Sequence, residues 1–404
     1  MHNRLYFNMD NQKRDDIFQK IVLEQNRIGY YNLPNENINH ILEFADNFDK
    51  KIETIAILGI GGSSLGSKAI YEFLKPTNKL IRKLLFFEST DPLNILSILN
   101  NINLDKTHFL VISKSGETIE TISIFKYIFS QKPDSKNYTF ITAKGSNLDK
   151  FAKDLGSKLF YLPDNVGGRF SVLSVVGLVP LALSGVNIKS LLVGANKINI
   201  AFFNKKRIYS QLIDKAIFYA SNHERYRINC IFAYLESLKY FTEWFVQLWG
   251  ESLGKKQRHS ACNVGLTPIG LIGPKDQHSF LQLIMEGKRD KSVTFIKIKD
   301  FKSNLKVPNI KLSNLEALDI VNNIPFSKLI NMQCNSVKEA LLALKEIPID
   351  EIVISKVDAK SIGELIYYYE LLTSLIGELL DINTYNQDGV EAGKTILKGK
   401  LMKY

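Results

Sequence analysis

Two stretches of the chain carry the residue types that hold a small anion. In LGIGGSSLGSKAI, Gly59, Gly61, Gly62 and Gly66 follow an apolar run and precede a helical pattern. Glycine in that position lets backbone N–H groups face a ligand at close range, and Ser63 and Ser64 add hydroxyl donors. Dinucleotide binding is disfavoured, because G-x-G-x-x-G counted from Gly59 requires glycine where Ser64 stands. Lys68 is likewise out of place for a phosphate-loop lysine. The second stretch, VISKSGETIET, gathers Ser113, Ser115, Thr118 and Thr121 around the start of a helix. Unpaired N–H groups and the helix dipole favour negative charge there. Glu117 opposes a dianion unless it turns outward or is offset by Lys114. Either stretch alone is explained by a structural turn or by helix capping. Two of them at the same end of neighbouring strands read better as a phosphomonoester pocket.

Groups that could move a proton lie further along. Arg169, in DNVGGRFSVLS, follows a glycine pair that lets backbone pass near a ligand. Its cation suits a developing oxyanion. Gln247 and Glu251 are four apart in WFVQLWGES and share one face of a helix that extends that far. Apolar, aromatic surroundings would partly desolvate Glu251 and raise its pKa toward the range of a general base. His278, in GPKDQHSFLQLI, is one of six histidines; Lys394 follows NQDGVEAG, with Gln387 seven positions before it. A salt bridge, a helix cap or a solvated side chain is the plain reading of each taken singly. Together they fit aldose–ketose isomerisation of a sugar phosphate. That reaction needs an anion pocket, an acid–base pair for ring opening, a carboxylate base and a cation beside an enediolate. It requires no metal or redox cofactor, and a cluster such as H-E-x-x-H is absent from the sequence.

Positioning these groups is the work of an α/β framework. Residues 1–50 show helical spacing at 13–24 and 39–48. Short apolar runs at 52–59, 84–88, 108–113, 138–142 and 158–162 then alternate with helical patterns at 67–74 and 120–129. This rhythm predicts a mostly parallel sheet covered on both faces. Residues 190–255 read as mostly helical, with IFAYLESLKYFTEWFVQLWGES the best-patterned part. Strand patterns return at 267–272, 293–298 and 351–355, with helices at 279–285, 337–345 and 362–380. The division expected is a helical segment at 1–50 packing on the second domain, α/β domains at 51–190 and 191–383, and an active-site tail at 384–404.

With 404 residues, 45% hydrophobic and 23% charged, the chain has the composition of an ordinary multidomain globule. Cys230, Cys262 and Cys334 form neither a disulfide framework nor a metal-ligand spacing. The first residues lack an apolar signal core, and the longest apolar stretch, 172–186, is interrupted by Ser174, Pro180 and Ser184. A buried helix is expected there, in a cytoplasmic protein without a membrane partner. The net charge of +11 is spread over mixed runs, so nucleic acid is not the expected partner.

The blocks GIGGSSLG, ISKSGETIET, NVGGRFSVLSVVG, QLWGESLGK, KDQHSFLQLIMEG and NQDGVEAGK, in this order, resemble the phosphoglucose isomerase family in its short bacterial form. The likeness extends over about residues 55–394. It implies two sugar-isomerase domains, each with a mostly parallel central sheet flanked by helices, and no cofactor. It implies that Gly62 and Ser63 lie by the sugar phosphate, that Ser113, Lys114, Ser115, Thr118 and Thr121 form the phosphate loop, and that Gln387 stands close to it. Glu251 would shuttle the proton between C2 and C1, Arg169 would stabilise the enediolate, Gln247 would help position substrate, and His278 and Lys394 would assist ring opening. The resemblance further implies a homodimer in which His278 enters the partner's site. Gly116 and Glu117 depart from the family's phosphate loop, as do Asn386 and Asp388 from its last block. Two rivals remain: a related isomerase acting on mannose 6-phosphate, and a non-catalytic sugar-phosphate sensor, which would not need Glu251, His278 and Lys394 together.

Overall fold

The computed structural model describes residues 1–7, 14–77, 79–260 and 262–404. A short strand β1 (His2–Leu5) precedes helices α1 (Arg14–Glu24) and α2 (Asn39–Asp46). The first α/β unit runs β2 (Thr54–Leu58), α3 (Leu65–Leu74), β3 (Lys83–Phe87), α4 (Pro92–Asn100), β4 (Thr107–Ile112), α5 (Ile119–Gln131), β5 (Tyr138–Thr142), α6 (Asn147–Asp154) and β6 (Lys158–Tyr161). Helices α7 (Val175–Ser184), α8 (Ile188–Phe203) and α9 (Arg207–Ser221) lead to the second unit. That unit begins with β7 (Ile228–Ala233), α10 (Lys239–Leu253) and a short antiparallel pair, β8 (Lys255–Lys256) and β9 (Asn263–Val264). It continues through β10 (Thr267–Ile272), α11 (Leu281–Met285), β11 (Lys291–Asp300), α12 (Phe326–Ala343), β12 (Ile349–Lys356) and α13 (Ala359–Leu379). The last helix is α14 (Glu391–Leu401).

The first sheet has strand order β3-β2-β4-β5-β6 and is parallel throughout. The chain leaves β2 for β3 on one side and returns to β4 on the other. A crevice therefore opens between the loops that follow β2 and β4, which is where open α/β sheets bind ligands. Those loops are the two anion-binding candidates. The second sheet, β1-β12-β11-β7-β10, is parallel except for the edge strand β1, which runs antiparallel to β12.

Side-chain alternation along the strands divides the interior into layers. Ile55 and Ile57 of β2, Ile231 and Ala233 of β7, and Ile352 and Ile354 of β12 face one shared core built around α3, α7, α8, α10 and α13. Ala56 and Leu58 face outward onto Phe125, Phe140 and Leu148. Cys230 and Phe232 face outward onto Cys334 and Leu341 of α12. Each sheet is thus sandwiched between helices, an α/β fold of two helix-flanked sheets. The apolar stretch at 172–186 forms α7, whose Val176 through Ser184 are buried. Among the described residues, no helix is long and apolar enough to cross a membrane, and no group of His, Cys, Asp and Glu side chains is arranged to hold a metal ion.

Residues 190–255 are mostly helical, as α8, α9 and α10, but the run that begins at Ile231 is strand rather than helix at its start. Ile228–Ala233 is the strand β7, paired with both β10 and β11. A short, wholly buried apolar run has the same composition in either form, and its periodicity does not separate them. β1, α4 and α6 were not anticipated. β1 exists because the edge of β12 accepts it, and no local signal marks it. α4 and α6 do carry signals: Asp91 caps Leu93 N–H ahead of Pro92, and Ser146 caps Asp149 N–H. Helix α12 begins at Phe326, well before the pattern read at 337–345.

Candidate active site

The loop after β2 is shaped by what its glycines touch. A Cβ on Gly62 would lie 2.3 Å from the Gly168 carbonyl carbon and 2.8 Å from the Arg169 nitrogen. This glycine therefore lets the turn that carries Arg169 pack directly on the loop. Gly61 has φ +60°, and a Cβ there would meet Gln247 Nε2 at 2.7 Å. The Ser63 hydroxyl makes no hydrogen bond to the described residues, whereas Ser64 is buried and donates to Glu88 Oε1 at 2.6 Å. Lys68 pairs with Glu88 Oε2 at 2.5 Å. Ser64 is thus a brace for α3 rather than a ligand donor.

The loop after β4 closes on itself. Ser113 Oγ accepts the Gly116 N–H at 3.1 Å and lies 2.9 Å from Thr118 Oγ1. Thr118 stands at the N-terminus of α5 without capping it through its side chain, so the first N–H groups of that helix remain available to an anion. Thr121 Oγ1 is buried and has no hydrogen-bond partner among the described residues. The exposed Ser115 accepts the Glu117 N–H at 3.2 Å. Both departures in this loop have a structural reason. Gly116 adopts φ +71°, and a Cβ there would crowd Leu148 at 2.9 Å. Glu117 turns to Asn147, whose amide donates to its Oε1 at 3.0 Å. Lys114 does not join the hydroxyl cluster by its ammonium, which donates to the carbonyls of Asp164 and Val166 at 2.8 and 2.9 Å. It supports the segment leading to Arg169 instead, and burial lowers its pKa.

Arg169 is buried, and all five of its N–H donors are used. Nε donates to Ser252 Oγ at 2.7 Å, and Nη2 to the carbonyls of Thr384 and Asn386 at 2.6 and 3.0 Å. Nη1 donates to Gln387 Oε1 at 3.2 Å and reaches Glu251 Oε2 at 3.4 Å. Burial lowers the guanidinium pKa, and the Glu251 charge opposes that shift. Glu251 lies in the last turn of α10 and also accepts the Gln247 amide at 3.2 Å. Its side chain keeps 34% of its surface exposed, so it is reachable by a bound molecule. Arg169, Gln247, Glu251 and Gln387 are therefore one cluster, drawn from three separate parts of the chain.

Lys255 was missed by sequence reasoning. Its ammonium donates to the Asn386 carbonyl and to Asn386 Oδ1. Burial and the neighbouring Arg169 push its pKa down to about 8, against the pull of Asp388 and Glu251. The available signal was its position just past the glycine that ends α10, in QLWGESLGK.

The chain does not bring His278 or Lys394 into this cluster by hydrogen bonding. His278 is not buried; it ends the 3-10 turn Lys275–His278, and its imidazole makes no hydrogen bond to the described residues. Lys394 pairs with Glu391 at 2.7 Å on the exposed helix α14, which leaves Ile396, Leu397 and Leu401 in solvent.

A glycine loop packed on the turn of a buried arginine, a second, hydroxyl-lined loop at an uncapped helix start, and a carboxylate paired with that arginine are the parts of an acid–base enzyme for a small anionic substrate. The sequence model of the family described as phosphoglucose isomerase matches residues 41–402, and the chain belongs to that family. It is 43% identical over 381 residues to a glucose-6-phosphate isomerase of Campylobacter jejuni, covering 93% of this chain and 92% of that one. It is 35% identical over 384 residues to the corresponding protein of Methanocaldococcus jannaschii, covering 91% and 92%. Among solved structures, a hypothetical protein from Thermus thermophilus superposes with TM-score 0.87 at 28% identity, covering 96% of this chain and 94% of that one.

Proposed function

We propose that the chain interconverts D-glucose 6-phosphate and D-fructose 6-phosphate. The observation that carries this reading is the Glu251 carboxylate, held between the Gln247 amide and the Arg169 guanidinium. The phosphate sits against Gly62, Ser63 and the loop of Ser113, Ser115, Thr118 and Thr121, where the α5 dipole and hydroxyl donors meet it. Lys114 contributes through the backbone of that loop. Gln247 and Gln387 position the sugar. His278 and Lys394 open the ring by moving a proton between the ring oxygen and the C1 hydroxyl. Glu251 then takes the C2 proton, leaving a cis-enediolate whose negative oxygen faces Arg169. The O2 hydroxyl proton moves to O1, and Glu251 returns its proton to C1.

In this reading two copies pair, and the partner subunit supplies His278. Support comes from the accessibility of His278 and from the apolar side chains that α14 presents to solvent. The domain limits remain 51–190 and 191–383, with 1–50 and 384–404 completing them. The setting is cytoplasmic glycolysis and gluconeogenesis, in keeping with three unpaired cysteines.

A coupled assay should show rapid conversion of fructose 6-phosphate without added metal. No turnover by folded protein would favour a sugar-phosphate sensor, and preferential turnover of mannose 6-phosphate would favour the related isomerase. Co-refolding inactive Glu251→Gln and His278→Ala chains should restore part of the activity, because one mixed site per dimer is intact. Mixed chains as inactive as their parents would remove the shared site.

Gly62→Ala should lower kcat by roughly 100-fold, the order expected when catalytic groups shift by about 1 Å. The new methyl meets backbone of the Arg169 turn rather than a flexible side chain. Wild-type kcat in this variant would show that the contact does not aim Arg169.

A further inference from the structure

Glu24, at the end of α1, is a buried carboxylate far from the catalytic cluster in sequence. Its Oε2 accepts the Tyr31 hydroxyl at 2.7 Å and the Tyr385 hydroxyl at 2.9 Å. Tyr385 stands between Thr384 and Asn386, the two residues whose carbonyls accept Arg169 Nη2. Its ring packs on Phe170, the neighbour of Arg169, with centroids 5.2 Å apart. Gln387, two residues on, accepts from Arg169 Nη1. The strap 384–387 is therefore the floor of the guanidinium site, and Tyr385 is its anchor into the core.

We propose that Glu24 is a positioning residue for the isomerase site: through the Tyr385 hydroxyl it fixes the strap 384–387 and so aims Arg169. This rests on the role given to Arg169 above.

A phenol has one proton to donate. The Tyr385 oxygen lies 2.9 Å from Glu24 and 2.8 Å from Ser374 Oγ, so the two compete for it. Ionised Glu24 can only accept, and it takes the protons of both Tyr31 and Tyr385 in charge-assisted bonds. Protonated, it is a neutral and weaker acceptor that donates its own proton to one neighbour, so its hold on the Tyr385 hydroxyl weakens relative to Ser374. Besides Tyr31 and Tyr385, the charged groups facing Glu24 are Glu378 of α13 and Arg258, which pair with each other. Behind them lie Asp381, bonded to His259, and Tyr30, whose hydroxyl meets Ser374 at 2.7 Å. Burial raises the Glu24 pKa to about 6, while the two phenols oppose the shift.

The folded pKa thus stands above the unfolded value. The neutral acid is favoured by folding, so this stability is present below pH 4.5 and is lost as pH rises through about 6. The positioning bond has the opposite dependence and is strongest above pH 6. Glu24→Gln removes the titration while keeping an acceptor of the same shape.

The test is steady-state kinetics on full-length Glu24→Ala, Glu24→Gln, Tyr385→Phe and the Glu24→Ala/Tyr385→Phe double variant, with Arg169→Ala alongside and folding checked by circular dichroism. Glu24→Ala and Tyr385→Phe should each lower kcat by about tenfold or more with KM little changed, the double falling no further than the worse single. Glu24→Gln should recover most of the loss, and the melting temperature of wild type relative to this variant should fall as pH rises from 4.5 through about 6. Tyr385→Phe removes only a hydroxyl, so it stands if Glu24→Ala does not fold. Wild-type kcat in folded Tyr385→Phe, or multiplicative losses in the double variant, would overturn the inference. If those variants are normal while Arg169→Ala is inactive, the inference alone fails. Turnover retained in Arg169→Ala would instead remove the role assigned to Arg169.

Discussion

Glu251→Gln should lower kcat by roughly 10²–10⁴-fold, the range general acid–base catalysis supplies, with little change in KM for fructose 6-phosphate. The substitution keeps the shape of the side chain and one acceptor oxygen, but the amide does not take up the C2 proton. Arg169 would stay in place, because Ser252, Gln387 and the carbonyls of Thr384 and Asn386 still hold it. In the proposed arrangement the phosphate is held by the loops after β2 and β4, which do not include Glu251. A second readout separates proton transfer from binding: exchange of the C2 hydrogen of glucose 6-phosphate with solvent deuterium should disappear together with turnover. A variant that still exchanges at the wild-type rate would require another base. A variant whose loss lies entirely in KM would place Glu251 in ground-state binding.

Lys215→Met should destabilise the protein by about 3–5 kcal/mol, the cost of leaving one member of a buried ion pair without its partner. Lys215 and Asp350 are each 1% exposed at the side chain and lie 2.7 Å apart. Thr294 donates to Asp350 Oδ1 at 2.6 Å, and Asn3 donates to Oδ2 at 2.8 Å. The Lys215 ammonium also lies 5.7–5.8 Å from the ring centres of Tyr219, Tyr368 and Tyr369. Burial lowers its pKa and Asp350 opposes the shift. The network ties α9, β11, β12 and the edge strand β1 together. Chemical denaturation would show the lost stability as a lower midpoint at unchanged slope. Lys215→Met combined with Asp350→Leu should recover much of the loss, because the buried charge is gone. A single variant as stable as wild type would show that Asp350 finds enough donors in Asn3 and Thr294 alone.

The first unit was legible because each of its five strands is an apolar run bounded by glycine, proline or polar turns, and the interval between runs matches a helix. β5 was read to the residue. β7 was not, because its run continues with little break into the apolar surface of α10. The phosphate-loop candidates were legible for a related reason: their residues are neighbours in sequence, so a short motif holds the whole feature. Lys114 shows the limit of that argument. It is adjacent to Ser113 in sequence, yet its ammonium is spent on carbonyls 50 and 52 residues away.

The sequence by itself determined the α/β class, the two turns beside the switch in strand order, and the types of side chain available for phosphate and proton handling. Those properties follow from local spacing and from the chemistry of single residues. Only the tertiary structure decided which groups meet. Arg169 and Gln387 are 218 residues apart, and Glu24 and Tyr385 are 361 apart. No local pattern encodes such pairs, because they exist only once α10, α13 and the strap behind them have packed into one core. Burial is the other quantity that packing supplies: it shifts Glu24 to about 6 and Lys255 to about 8, where their isolated side chains would stand at 4.5 and 10.5.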